Sequence, residues 1–157
     1  MSDRRSLRSR RHYRAWRSIA TRWMDNDIYG HASAVVYYSW FDTAVNAWLV
    51  EQKLLDIEQG MLIGLVVETG CTYARPVAFP SEVQAGISVS HIGNSSVRYD
   101  IGLFLDGNPQ PAAQGFFTHC YVDRSDRRPR SLDDRWRQTL ATIARAPVSL
   151  ELPQAGT

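Results

Sequence analysis

Residues 21–52 read TRWMDNDIYGHASAVVYYSWFDTAVNAWLVEQ, and the order of residue types in them decides the fold. Thr21 to Trp23 has the character of a strand end. Asp25, Asn26, Asp27, Tyr29, Gly30 and His31 then form a polar, turn-prone loop. Beyond it, Val35, Tyr37, Tyr38, Trp40, Phe41, Ala44, Val45, Trp48 and Leu49 recur at helical spacing, and between Ser33 and Val50 only Asp42 is charged. The spacing predicts a helix over 34–52 with Ser33 as its N-cap. Apolar residues on nearly every face predict that other elements wrap it. Ser39, Asp42, Thr43 and Asn46 interrupt it too often for a membrane span, which needs about 20 mostly apolar residues.

Outward from this helix the period changes to two. Trp16, Ile19 and Trp23 alternate loosely, predicting a first strand over 15–23. Lys53, Asp56 and Gly60 turn the chain after the helix. Strands are predicted over 62–73, 83–92, 95–105 and 112–122, rich in β-branched and apolar residues. Arg75-Pro76, Phe79-Pro80-Ser81, Gly93-Asn94 and Asp106-Gly107-Asn108-Pro109 punctuate them. Short turns make successive strands antiparallel. One strand, one helix and four strands give an α+β domain, a curved antiparallel sheet around one central helix. Leu132, Trp136, Leu140 and Ile143 predict a short amphipathic helix over 132–144, with Ser131 as its N-cap.

Composition bounds the rest. The 157 residues suit one domain, assigned to 15–145, with a tail over 146–157. Residues 1–17 hold seven arginines and one acid. Residues 1–14 lack apolar periodicity and read as a basic, disordered arm. Contact with nucleic acid or coenzyme phosphates is an alternative for that arm. Nothing downstream resembles a nucleic-acid reader, so no nucleic acid and no membrane are expected as partners. Cys71 and Cys120 read as reduced thiols of a cytoplasmic protein, without the spacing of a metal site. No Walker or Rossmann glycine loop and no serine elbow is present.

The chemistry is expected where the loop meets the helix. A helix N-terminus carries unpaired N–H groups and partial positive charge, suited to a carbonyl oxygen that is becoming negative. Asp27 places a carboxylate just ahead of it. Such an aspartate also caps turns or pairs with arginine, and the residues alone leave both readings open. Asp25 reads as the structural turn residue, Gly30 as a backbone or close-approach requirement. His31 either orients Asp27, binds substrate or bonds backbone. His91 and His119 read as strand residues.

The pattern Asp25, Asp27, Gly30, His31, then Tyr37, Tyr38, Phe41 and Asp42, resembles the 4-hydroxybenzoyl-CoA thioesterase family of hotdog-fold acyl-CoA thioesterases. The likeness extends more weakly to Arg75-Pro76 and to residues 91–97. Many members continue the motif as Gly-His-Val-Asn-Asn-Ala, where this chain has Ser33 and Ala34 in place of the two asparagines. The resemblance implies a hotdog fold and hydrolysis of an acyl-CoA thioester to acid and free coenzyme A. It implies Asp27 as base or nucleophile, the N–H of Ala34 as oxyanion donor with Ser33 beside it, and His31 in the catalytic group. Ser33, Tyr37, Arg75, Ser95 and Ser96 are expected to contact substrate. No cofactor or metal is implied beyond the coenzyme A of the substrate. A homodimer or homotetramer is implied, with the site at the subunit boundary. The alternative reading is a non-catalytic module that binds acyl-CoA or an acyl carrier.

Overall fold

The computed structural model describes residues 6–145. Residues 1–5 and the tail expected over 146–157 lie outside the described residues. Five strands, β1 (Ala15–Ala20), β2 (Leu62–Tyr73), β3 (Glu82–Ile92), β4 (Ser96–Leu105) and β5 (Ala113–Asp123), form one antiparallel sheet in the order β1-β3-β4-β5-β2. Two helices, α1 (Ala34–Glu51) and α2 (Asp134–Ala141), complete it. This is the expected α+β hotdog fold. β1 and β2 are neighbours in sequence but lie on opposite edges, so the chain must cross the sheet between them, and α1 is the crossing.

The inward face of the sheet is built from alternate strand positions. Val83, Ala85, Ile87 and Val89 of β3 and Val97, Tyr99, Ile101 and Leu103 of β4 pack with Phe41, Ala44, Val45 and Leu49 of α1. Phe41 meets Phe117 of β5 edge to face, ring centres 5.9 Å apart. The helix is not wrapped all round as its composition suggested. Val35, Ser39, Asp42 and Val50 leave an exposed stripe, with Val35 71% exposed. Lys53 ends α1 at φ 59°, its N–H on Val50 O, while Leu54 N–H reaches back to Leu49 O.

The arm read as disordered is corrected across residues 6–14, which pack on the outer face of the sheet. Gly86 and Gly102 are partners across β3 and β4. A Cβ at either would lie within 2.7 Å of Tyr13 side-chain atoms. The two glycines thus open a trough, and the Tyr13 ring fills it at 4% exposure. Beside it, Phe104 contacts Tyr13, Trp16 and the Arg10 guanidinium. The buried Asp100 carboxylate is hydrogen-bonded to His12 Nε2 at 3.0 Å and forms ion pairs with Arg8 Nη1 at 3.3 Å and Arg145 Nε at 3.7 Å. Burial alone would raise the pKa of Asp100, but the His12 hydrogen bond and the two arginine charges hold it below the ordinary value. Arginines spaced through a polar segment carried no sign of this, because their partners lie about 90 residues away.

Two further boundaries differ. Trp23 begins a short 3-10 turn, Trp23–Asp25, rather than ending β1. Helix α2 starts at Asp134, capped by Asp133, whose carboxylate accepts from Trp136 N–H at 2.9 Å. Ser131, expected to be that cap, donates instead to Asn94 Oδ1. Both cysteines are free and half-buried, and burial pushes the Cys71 thiol up to about 11. Among the described residues no helix is long and apolar enough to cross a membrane.

Candidate active site

Three hydrogen bonds shape the loop from β1 to α1. Asp27 N–H donates to His31 O at 2.9 Å, Gly30 N–H to Asp27 O at 3.1 Å, and Tyr29 N–H to Asp27 Oδ1 at 2.8 Å. The last is an Asx turn, in which an aspartate folds back on its own backbone. Gly30 sits at φ +82°, a region that side chains other than glycine enter at a cost. The loop is anchored below by Asp25, 1% exposed, which accepts from Arg22 N–H and from both Nε and Nη2 of its guanidinium. Asp25 O also takes Ser33 N–H, and Ala32 N–H reaches Val77 O at 2.7 Å. Asp25 is therefore the structural carboxylate of the pair, while Asp27 stays exposed with Oδ2 unengaged among the described residues.

The start of α1 lies against this loop. Ser33 occupies the N-cap position, but its hydroxyl makes no capping bond. Its N–H is already spent on Asp25, so Ser33 is removed as a backbone oxyanion donor. The N–H groups of Ala34 and Val35 have no protein acceptor among the described residues, as a first helical turn requires. Tyr73, at the end of β2, donates its hydroxyl to Ala34 O at 3.0 Å and sets its ring 4.9 Å from that of Tyr37. Burial raises the pKa of Tyr73 above the usual tyrosine value, and that of Tyr37 likewise, so both stay protonated donors at neutral pH.

Together these groups line an open groove of about 460 Å³ that includes Asp27, His31, Ala34, Tyr37, Tyr73 and Arg75. Five expected site residues thus share one surface: Asp27, His31, Ala34, Tyr37 and Arg75. Tyr37 serves both core and groove, at 3% exposure. Tyr73 was missed by sequence reasoning, since its contact with Ala34 spans 39 residues and β2 carries no local sign of it. Ser95 and Ser96 are not brought to this groove within one chain. They sit at the β3–β4 turn, where Gly93 N–H meets Ser96 O and Tyr121 N–H meets Ser95 O, at the opposite end of the sheet from Tyr73. A carboxylate with an unengaged oxygen and an unpaired helix amide, opening onto one groove, is an arrangement suited to attack on a polarised carbonyl.

A thioesterase superfamily model matches residues 29–112, more than half of the chain. The chain belongs to the thioesterase superfamily. The PA5185 protein from Pseudomonas aeruginosa strain PAO1 is 45% identical, with a TM-score of 0.86 over 90% of this chain and 99% of that one. A 1,4-dihydroxy-2-naphthoyl-CoA thioesterase from Synechocystis shares the fold at 14% identity, TM-score 0.72, covering 80% of this chain and 94% of that one. A DHNA-CoA thioesterase from Staphylococcus aureus does so at 18% identity, TM-score 0.71, covering 82% and 87%. No curated protein matches the chain. Membership of this superfamily makes the chain a thioesterase by family.

Proposed function

We propose that this thioesterase hydrolyses an acyl-CoA thioester of the 4-hydroxybenzoyl-CoA thioesterase type to the free acid and coenzyme A. Asp27 acts as base or nucleophile, and the Ala34 N–H as oxyanion donor. The observation that supports this reading is the unengaged Asp27 oxygen and the unpaired Ala34 amide on one groove. As base, Asp27 takes a proton from water while the water oxygen attacks the carbonyl carbon. As nucleophile, its oxygen forms an acyl anhydride and water then cleaves it. In both routes the carbon–sulfur bond breaks and the thiolate takes up a proton. The Ala34 N–H holds the oxygen that becomes negative, worth about 3 kcal/mol for a well-placed donor. A backbone donor is indifferent to its own side chain, so the exchange of asparagine for Ser33 and Ala34 leaves this function intact. His31 and Arg75 line the groove as groups for positioning the substrate.

The site belongs at a boundary between two copies. Among the described residues β2 pairs with β5 on one side only, and its twelve residues leave a long outer edge with Leu65, Val66 and Val67 exposed. Such an edge is a template for another strand. A second copy, antiparallel along β2, satisfies it and gives a homodimer, which a further pairing would make a homotetramer. Ser95 and Ser96 of the second copy then approach the Asp27 groove of the first. The free thiols of Cys71 and Cys120 fit a reducing, cytoplasmic setting.

The test is thiol release from short, medium, long and aromatic acyl-CoAs by wild type and Asp27→Asn. Turnover by wild type and a loss of about a hundredfold in the variant, roughly 2.7 kcal/mol, is expected. Equal activity in both proteins removes Asp27 from the mechanism. Label found in the Asp27 carboxylate after a single turnover in 18O-labelled water would mark the nucleophilic route, with water attacking the aspartyl carbonyl of the anhydride. Val67→Lys is expected to shift sedimentation toward the monomer, and an unchanged oligomer would place the boundary elsewhere.

A further inference from the structure

The amide assigned to the oxyanion is held from two sides. On the loop side, Ala32 N–H reaches Val77 O at 2.7 Å, Ser33 N–H reaches Asp25 O at 3.0 Å, and Ser33 O accepts from Val36 N–H at 2.9 Å. These three bonds fix the peptide unit that carries the Ala34 N–H, and all are between backbone atoms. On the sheet side, Ala34 O accepts from Tyr73 Oη at 3.0 Å. A helix start is ordinarily fastened by the side chain of its N-cap residue, yet the Ser33 hydroxyl makes no such bond among the described residues. A capping hydroxyl would also have turned onto the N–H groups of the first turn. Here those groups stay open, and the side-chain fastening comes from β2 instead.

Tyr73 is well placed to act as a strut. It pairs with Ala113 at the end of the β2–β5 ladder. The two residues after it are pinned as well, Ala74 N–H and Arg75 N–H both donating to Ala112 O at 2.8 and 2.9 Å. Its ring meets that of Tyr37 edge to face, centres 4.9 Å apart and planes at 83°. With backbone and ring both held, the hydroxyl has a fixed position and Ala34 is set by it. The phenol has a single proton and spends it on Ala34 O, so that proton does not serve the substrate carbonyl. Burial keeps it in place at neutral pH. Without the hydroxyl, water reaches Ala34 O at this exposed surface. Water satisfies a carbonyl but does not tether it to the sheet.

Resting on the reading of the Ala34 N–H as oxyanion donor, we propose that Tyr73 is a positioning residue of the hydrolysis. Its hydroxyl holds the first turn of α1 against β2, so the Ala34 amide is aimed at the thioester oxygen before charge develops there. A donor aligned in advance undergoes no reorganisation during reaction, and a small displacement of it is costly in rate. The effect falls on the transition state, where the oxygen is most negative, and little on substrate binding.

The experiment compares wild type with Tyr73→Phe on an acyl-CoA that the wild type hydrolyses. kcat is expected to fall about tenfold with KM unchanged. The fall should be the same across the pH range, since a phenol that stays protonated adds no titration. A loss confined to one limb of the pH profile makes Tyr73 a proton donor and overturns the proposal. Unchanged kcat overturns it too, as does a rise in KM that accounts for the whole loss. A second measurement needs no turnover. A thioester labelled with 13C at the carbonyl is bound to Asp27→Asn and to Asp27→Asn/Tyr73→Phe, and its carbonyl stretch is read by isotope-edited infrared spectroscopy, which registers polarisation too slight to move KM. With Tyr73 in place the bound carbonyl should absorb at lower frequency than the free thioester, and loss of the hydroxyl should reverse part of that shift. A shift of equal size in both proteins refutes the role of Tyr73 and leaves the Ala34 amide in its own. No shift in either refutes both, which separates failure of this proposal from failure of the reading beneath it.

Discussion

Acidification from pH 7 to 4.5 should cost this protein stability through one buried group, His119. It stands on β5 at 2% exposure, ringed by Phe117, Tyr99 and Tyr121. Its Nδ1 lies 3.2 Å from Tyr121 Oη, which lies 2.7 Å from Tyr99 Oη. Nε2 has no partner among the described residues. Burial lowers the pKa from 6.5 to about 4, so the folded protein holds the ring neutral while the unfolded chain protonates it. Between those values the unfolded state binds more protons, and stability rises with pH. The contribution is fully present above 6.5 and is lost as pH falls toward 4. Each pH step of one between the two pKa values removes about 1.4 kcal/mol, and the loss from pH 7 to 4.5 comes to about 2 kcal/mol. Urea unfolding at both pH values, on wild type and His119→Phe, measures it. The phenylalanine keeps the aromatic contacts and removes the titration, so the wild type should lose about 2 kcal/mol more than the variant over this interval. The comparison of differences is insensitive to any packing change. Equal losses in the two proteins would refute a buried, neutral His119.

Three other outcomes are expected. Gly102→Ala sets a Cβ 2.5 Å from the Tyr13 ring and should cost about 1–3 kcal/mol; in a Tyr13→Ala background the cost should vanish, read by thermal or urea unfolding. Asp100→Asn should free residues 6–14 to proteolysis and should flatten the acid side of the stability curve. The lowered pKa of Asp100 contributes stability that is present above the ordinary carboxylate pKa and is lost as pH falls through the folded value. Tyr73→Phe removes the bond to Ala34 O and should cost about 1 kcal/mol of stability, measured by urea unfolding, with the Tyr37 ring contact retained.

Much of the site was readable because its parts are local. Asp25 to Tyr37 form one loop and one helix start, and a D-x-D-x-x-G-H pattern ahead of an apolar helix carries its own geometry. Turn bonds over two to four residues place Asp27, and the first turn of α1 supplies the unpaired amide whichever side chain Ala34 bears. What local reading misjudged was which groups those amides and carboxylates meet. Ser33 N–H goes to Asp25, and Tyr73 arrives from β2 to hold Ala34 O.

By itself the sequence determined the element order, the strand periods and the α+β class, since hydrophobic periodicity and turn residues act over a few positions. It also placed a carboxylate before a helix end. Tertiary structure alone decided that β1 and β2 part to opposite edges, which leaves β2 without a partner on its outer side among the described residues. It alone decided that an arginine-rich start docks on a buried Asp100 through a glycine trough. It alone brought Arg135 Nη2 onto the backbone O of Lys53, 82 residues away. These are pairings between distant segments, and their energy comes from surfaces that exist only once the sheet has closed over its helix.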